Sequence, residues 1–280
     1  MKRHNYLKSI ILYIVLIFIA LFAIFPFLWG LSGSFRSDTE MYQYMLPFSI
    51  HTLIPVHFTF DSYTTLFTDL GFGRPFMNTI VVTFVSIFFG CIINSIAAFA
   101  FAAFDFKFKK ILYSIVLFSF MIPFEAIAIP LYSVANGLNL VDTYAGIILP
   151  SLADGLVMFL FVQFFKSVPQ SILEAARVDG ASWIMIFAKI VAPLSVPVFI
   201  TAGLMIFMGQ WNSYLWPLLV ARSRDIQMVQ IALASFRTEH ATMWSSMYAG
   251  SMISALIPLF LFLPLQKYFV QGITSSGVKG

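Results

Sequence analysis

The chain has 280 residues, of which 60% are hydrophobic, 18% aromatic and only 10% charged, whereas a soluble domain carries about 45–50% apolar and about 25% charged residues. That excess of apolar surface excludes an independent water-soluble enzyme and a disordered chain, and it places the protein in the membrane class. The net charge of +4 does not describe a nucleic-acid surface, because the Lys and Arg residues are scattered rather than clustered on one solvated face.

Apolar runs of about 20 residues are long enough to cross a ~30 Å hydrocarbon layer as a helix. Such runs predict six spans, near 10–31, 77–103, 111–133, 144–165, 197–220 and 247–268. They are continuously apolar, whereas barrel strands alternate over about ten residues, so the expected fold is all-α, one integral-membrane domain over 1–280. The first run has a basic start and reaches Ser32-Gly33-Ser34, as a cleavable leader would. It continues through Phe25, Phe27 and Trp29, however, past the about 7–15 apolar residues of such a leader, and reads as a retained anchor. Residues 35–76 then carry Pro47, Pro55 and Pro75 and an amphipathic stretch from Asp61 to Phe67 that opens on a capping-type Asp, which predicts a short interfacial helix. In the second span Asn94, Ala98 and Ala102 fall four apart, a stripe suited to close helix packing, and the lone Cys91 reads as a packing residue.

The later spans hold polar groups at membrane depth, where each is costly and faces a cavity or another helix. Three are Glu125 in the third span, Asp154 in the fourth and Asn212 in the fifth. With a rise of ~1.5 Å per residue, Glu125 and Asn212 lie roughly 21 Å from the inner edge and Asp154 roughly 15 Å from the outer one, so they are candidates for one polar layer. Pro123 and Pro130 bracket Glu125, and each is expected to free backbone carbonyls. Trp211, Tyr214 and Trp216 offer aromatic faces of the kind sugars stack on. The same aromatics suit a membrane interface, and Asn212 a bond to a neighbouring helix.

Orientation follows from the basic residues. With both termini inside, the inner segments hold Lys2, Arg3, Lys8, Lys107, Lys109, Lys110, Lys166, Arg177, Lys189, Lys267 and Lys279, eleven of the sixteen, against Arg36, Arg74, Arg222, Arg224 and Arg237 outside. Lys and Arg concentrate in cytoplasmic loops, so the topology is N-in, C-in. The inner segment 166–196 runs Ser171-Ile172-Leu173-Glu174-Ala175-Ala176-Arg177-Val178-Asp179-Gly180. Glu174 to Val178 forms a helical turn, Gly180 stops it, and Ala181-Ser182 opens a second helix toward Pro193, with Asp179 as a candidate cap for that second helix. Two short helices meeting at a bend suit docking of another protein. On the residues alone the segment reads equally as a polar connection with Ala175 and Ala176 packed against the spans.

The spacing Glu-Ala-Ala, three residues, Gly180, nine residues, Ile190, then Pro193 resembles the EAA motif of ATP-binding-cassette importer permeases, with Ala192 where that family usually has Leu. Phe58 to Tyr63, Phe76-Met77-Asn78-Thr79, Met121-Ile122-Pro123, Ile129-Pro130-Leu131-Tyr132, Trp211 to Leu218 and the tail from Gly272 to Gly280 extend the match over nearly the whole chain. Together they resemble the smaller permease subunit of carbohydrate importers of the maltose and lactose type. The resemblance implies a type I importer permease fold in a bacterial cytoplasmic membrane. It further implies a second homologous permease, two cytoplasmic ATPase subunits that bind ATP and Mg, an extracytoplasmic solute-binding protein and a sugar substrate. Within it, Glu174 pairs with a basic group of the ATPase, Ala175 and Ala176 allow close approach, and Gly180 makes the bend. Asp179 and Pro193 complete the motif, and the short cationic tail brings Lys279 and Gly280 to the ATPase dimer.

The chain has no Gly-x-x-x-x-Gly-Lys-Ser/Thr loop, so no phosphate cradle of its own, and no His-Glu-x-x-His, cysteine pair or histidine spacing for a metal. No catalytic residue, metal ligand or resident cofactor is expected. A stand-alone secondary transporter or channel, with Glu125 and Asp154 coupling an ion, is the alternative from another class. An importer of the same architecture for glycerol phosphate or another non-sugar polar solute is a third reading.

Overall fold

The computed structural model describes residues 3–44, 47, 49–237 and 242–277. Among these the regular structure is helical, apart from one bridge between Arg237 and Thr242. Lys8–Ser34, Gly73–Ala103 and Trp244–Gln266 are each long and apolar enough to cross a membrane unbroken. Three further apolar segments are helix pairs bent at a short break: Lys109–Ser119 with Phe124–Gly137 at 100°, Tyr144–Ser151 with Gly155–Phe165 at 44°, and Trp183–Leu194 with Val196–Trp211 at 83°. The protein is thus a multi-pass, all-α membrane protein.

The apolar runs over 111–133, 144–165 and 197–220 are therefore not single helices, and each break has a local cause. In the third span the bend falls at Pro123, which caps Phe124–Gly137, while that helix runs on through Pro130; only one of the two prolines interrupts the span. In the fourth, Asp154 withdraws from the helix to cap Gly155–Phe165. In the fifth, the 83° bend falls at Ser195, with Pro197 in the first turn of Val196–Trp211, and the run is interrupted again further on, where that helix ends at Asn212 and a separate short helix, Leu215–Val220, follows Tyr214.

The chain divides into two compact units. The first comprises the described residues up to Gly73 together with those from Ala232 to Ile257. Here the first helix, Arg3–Ser34, lies against the start of the last, Trp244–Gly277, with the Trp29 indole N–H donating to the Tyr248 hydroxyl at 3.2 Å. The following segment carries Asp38–Gln43, capped by Ser37, and Asp61–Thr68. The latter is the short helix the sequence predicts, but its cap position is Phe60, and Asp61 sits in the first turn, where its charge favours the helix N-terminus. Arg36 and Glu40, 2% and 4% exposed, approach to 3.7 Å. Glu40 also accepts the Val56 and His57 backbone N–H groups at 2.8 and 3.0 Å, which satisfies a carboxylate taken out of water.

The second unit comprises Arg74 to Ile231 and the described residues from Pro258 on. Its larger core joins Ala98 and Phe99 of the second span, Val157, Phe161 and Phe165 of the fourth, and Val198, Ala202 and Ile206 of the fifth. Leu173, Ala176, Ile186 and Val191 of the inner segment belong to the same core. A second core gathers Val82, Ala135, Ile147, Trp216, Val220 and Met228. There Gly146 is packed so close to the Leu140 carbonyl that no side chain fits. The Trp216 indole donates to the Gly146 carbonyl at 3.0 Å. Asn78 donates to the carbonyls of Asp225 and Gln227 at 2.8 and 2.9 Å and accepts from the Tyr144 hydroxyl at 2.7 Å, so the outer segment after the fifth span is tied to the second and fourth.

Candidate functional site

The breaks of the third and fourth spans and the interruption after Trp211 in the fifth open on one cavity of about 540 Å³, within the range of small-molecule sites. Phe124 and Glu125 reach it from the third span, Pro150, Ser151, Ala153 and Asp154 from the fourth. The fifth contributes Met205, Ile206, Gly209 and Gln210, and the turn after it Ser213, Tyr214, Leu215 and Trp216. Interrupted helices leave backbone groups unpaired, and these persist in a membrane only where protein or a wet cavity satisfies them.

Asn94 of the second span performs that task for the fourth. Its side-chain amide donates to the Leu152 carbonyl at 2.8 Å and to the Gly90 carbonyl at 2.7 Å, while its oxygen accepts the Asp154 backbone N–H at 3.0 Å. The sequence marks Asn94 only as part of a small-residue stripe, yet it fixes the turn that presents Asp154. The Asp154 Oδ1 in turn accepts the N–H groups of Leu156 and Val157 at 2.8 and 2.9 Å, a helix cap. Glu125 stands in the first turn of its own helix, exposed, its side chain without a hydrogen bond or ion pair to any described residue.

Of the five path residues read from sequence, Glu125, Asp154 and Tyr214 meet at this cavity. Trp211 and Asn212 lie outside its wall. Trp211 is 1% exposed, stacked on Phe207 at 5.4 Å and edge-on to Phe76 at 6.1 Å. The Asn212 amide turns back to the Met208 carbonyl at 2.9 Å and closes its helix. In their place stand Gln210, 8% exposed and without a side-chain partner among the described residues, and Ser213. Gln210 is legible in principle, as an amide inside an apolar run.

On the inner segment, Gln170–Val178 carries the Glu-Ala-Ala run. Leu173 and Ala176 are buried in the core, which leaves Glu174 and Ala175 on the outer face; the two alanines face opposite ways. The Glu174 side chain makes no hydrogen bond or ion pair to a described residue. The helix stops at Gly180, whose φ of +82° lies in the left-handed region that favours glycine. Asp179 closes this first helix, and the cap of the second is Ser182, which accepts the Met185 N–H at 3.2 Å, so Asp179 is not the cap of the second helix. Arg177 spans the bend, its guanidinium donating to the Ala181 carbonyl at 2.7 Å and lying 5.1 Å from the Trp183 ring centre. Val178 and Ile184, 88% and 81% exposed, stand on either side. Beyond Ile186 a wide π-type turn, Phe187–Val191, leads to Pro193 within Ala192–Leu194, before the 83° bend into the fifth span. Lys279 and Gly280 lie outside the described residues.

Residues 87–275 match the family model of the binding-protein-dependent transport system inner membrane component. The chain is 34% identical, over its whole length and 99% of the relative, to the arabinooligosaccharides transport system permease protein AraQ of Halalkalibacterium halodurans. It is 34% identical, over 73% of its length and 74% of the relative, to the sn-glycerol-3-phosphate transport system permease protein UgpE of Shigella flexneri. Among solved structures, a chain of a bacterial ABC transporter involved in import of the acidic polysaccharide alginate superposes with a TM-score of 0.83 at 25% identity, covering 96% of this chain and 99% of that one. The unbroken and broken spans, the bent inner segment and these likenesses agree: the chain belongs to the family of binding-protein-dependent transport system inner membrane components.

Proposed function

We propose that this chain is one of two permease subunits of a sugar or oligosaccharide importer in a bacterial cytoplasmic membrane, lining half of the path and driven by ATP hydrolysed on partner subunits that hold the nucleotide and Mg. A solute-binding protein on the outer side delivers the cargo. The observation that carries this reading is the bent inner module. It is anchored in the core by Leu173 and Ala176, yet presents the Glu174 carboxylate, without a side-chain partner among the described residues, on the helix that ends at exposed Val178, with exposed Ile184 across the bend. An uncompensated carboxylate beside large exposed apolar side chains on a rigid bend fits a protein cleft with a basic group inside it. Asp179, Gly180 and Pro193 set the shape of that module, and Lys279 and Gly280 are assigned to the same ATPase contact. Glu125, Asp154 and Tyr214 are assigned to the path.

The relatives' cargos differ in charge, from neutral arabino-oligosaccharides to glycerol phosphate and acidic alginate, so membership by itself does not set the cargo. The test is a double variant, Glu174→Arg with Gly180→Pro, expressed with its partner subunits. Insertion should persist while uptake and ATPase stimulated by the binding protein disappear; retained uptake would refute the docking role. Co-purification with an ATPase and a second permease, against transport by this chain alone, separates the importer from a secondary transporter. ATPase stimulation across a panel of sugars identifies the cargo.

A further inference from the structure

We infer that the cavity at the three helix breaks is a charge filter that passes uncharged saccharides and holds back anionic ones; the inference rests on the cavity being the solute path. Its wall contains two carboxylates, Glu125 and Asp154, and no Lys, Arg or His. Arg222 of the outer segment, bonded to the Tyr132 hydroxyl with its guanidinium over the Tyr132 ring, is not part of that wall.

The helix ends strengthen the argument. Gly155–Phe165 and Phe124–Gly137 both start at the cavity, and a helix N-terminus is an anion-binding feature wherever it is left open. Here one is closed by a side chain and the other is not. Asp154 takes up the second and third N–H groups of Gly155–Phe165, and Phe124–Gly137, which has no side-chain cap, carries the negative charge of Glu125 in its first turn. One acid therefore stands where a phosphate or uronate would bind, the other sets its charge beside such a place, and both repel an anion. A neutral saccharide instead finds Gln210, buried to more than nine-tenths with its side-chain amide unpartnered among the described residues, together with Ser213 and the Tyr214 ring. These are donors and acceptors without charge, and an aromatic face.

The experiment reads the potential in the cavity directly. In the assembled transporter carrying Cys91→Ala, single cysteines are introduced as Ser213→Cys and Ala153→Cys. They are modified with neutral, cationic (ethyltrimethylammonium) and anionic (ethylsulfonate) methanethiosulfonates, each rate divided by that of a free thiol. The cationic reagent should react about tenfold faster than the anionic one at low salt, as expected for two unit charges within several ångström across a wet cavity. The preference should shrink at high salt and vanish in Glu125→Gln with Asp154→Asn, where Asn keeps the helix cap. Equal rates for the two charged reagents alongside ready neutral modification would overturn the filter and leave the path standing. Failure of the neutral reagent to reach either cysteine would overturn the path itself.

Discussion

Asn94 shows how much one side chain carries in this fold. Its amide pairs the Leu152 carbonyl and the Asp154 N–H, the two backbone groups that the break in the fourth span would leave bare. Asn94→Leu preserves bulk and removes both bonds. A fully buried orphaned group costs about 1–3 kcal/mol and these part-buried ones less, so the variant should unfold at lower temperature in detergent and lose uptake even where it inserts. An unchanged melting curve would show that the break does not need Asn94. Outside the membrane, Asp142 acts similarly on the outer segment. Its carboxyl is held below the ordinary value of 3.8, chiefly by the Ser223 backbone N–H, with smaller help from the Ser223 hydroxyl and Arg222 against some desolvation. A depressed carboxyl stabilises fully above its unfolded value and loses that contribution as pH falls through the folded one. Hydrogen exchange at the Ser223 amide should therefore be slow above about pH 4 and lose its protection below 3.8. In Asp142→Ala the amide should be unprotected at every pH; protection surviving there would place the restraint elsewhere.

At the scale of elements, the inner module depends on the angle between two short helices, and Arg177 sets it from both sides through the Ala181 carbonyl and the Trp183 ring. An exposed cation–π contact is worth about 0.5–1 kcal/mol, so Arg177→Ala should leave folding and insertion nearly intact. It should lower solute imported per ATP hydrolysed, because a slack bend absorbs the stroke; an unchanged ratio would make Arg177 ornamental. This module was largely legible in sequence, because Gly180 and the Glu-Ala-Ala spacing are local facts about the chain. The apolar runs were legible too, and with them the existence of the spans. The breaks were less so. Asp154 and Asn212 read from sequence as polar groups on continuous helices, because nothing local reveals whether a side chain faces a cavity or turns back to cap its own helix. Asp154 does both, while Asn212 only closes the turn. Trp211 misled for a related reason: an aromatic at membrane depth has the same composition whether it lines a path or fills a core, and its stacking on Phe207 decides for the core.

At the scale of the larger unit, the inner module and the cavity share one packed body. Leu173 and Ala176, on the back of the Glu-Ala-Ala helix, belong to the same core as Ile206, which also lines the cavity. Close-packed interiors transmit displacement rather than absorb it, so a push on the module reaches the cavity wall without a dedicated relay. Phe161 is the place to test this. It is fully buried, its ring 4.7 Å from Phe199 and 5.5 Å from Phe165, in the core that holds both Leu173 of the module and Ile206 of the cavity wall. Phe161→Ala removes most of the ring and should cost about 3–5 kcal/mol, enough to confuse unfolding with loss of coupling. Phe161→Leu is the milder probe, with an expected cost of about 1–2 kcal/mol because much of the volume is kept. In reconstituted transporter it should preserve binding-protein-stimulated ATP hydrolysis to within about twofold and cut solute uptake several times more strongly, since the module still engages its partner while the softened core moves the wall less. If hydrolysis and uptake fall together in proportion, the core is a support for folding and the stroke reaches the cavity by another route.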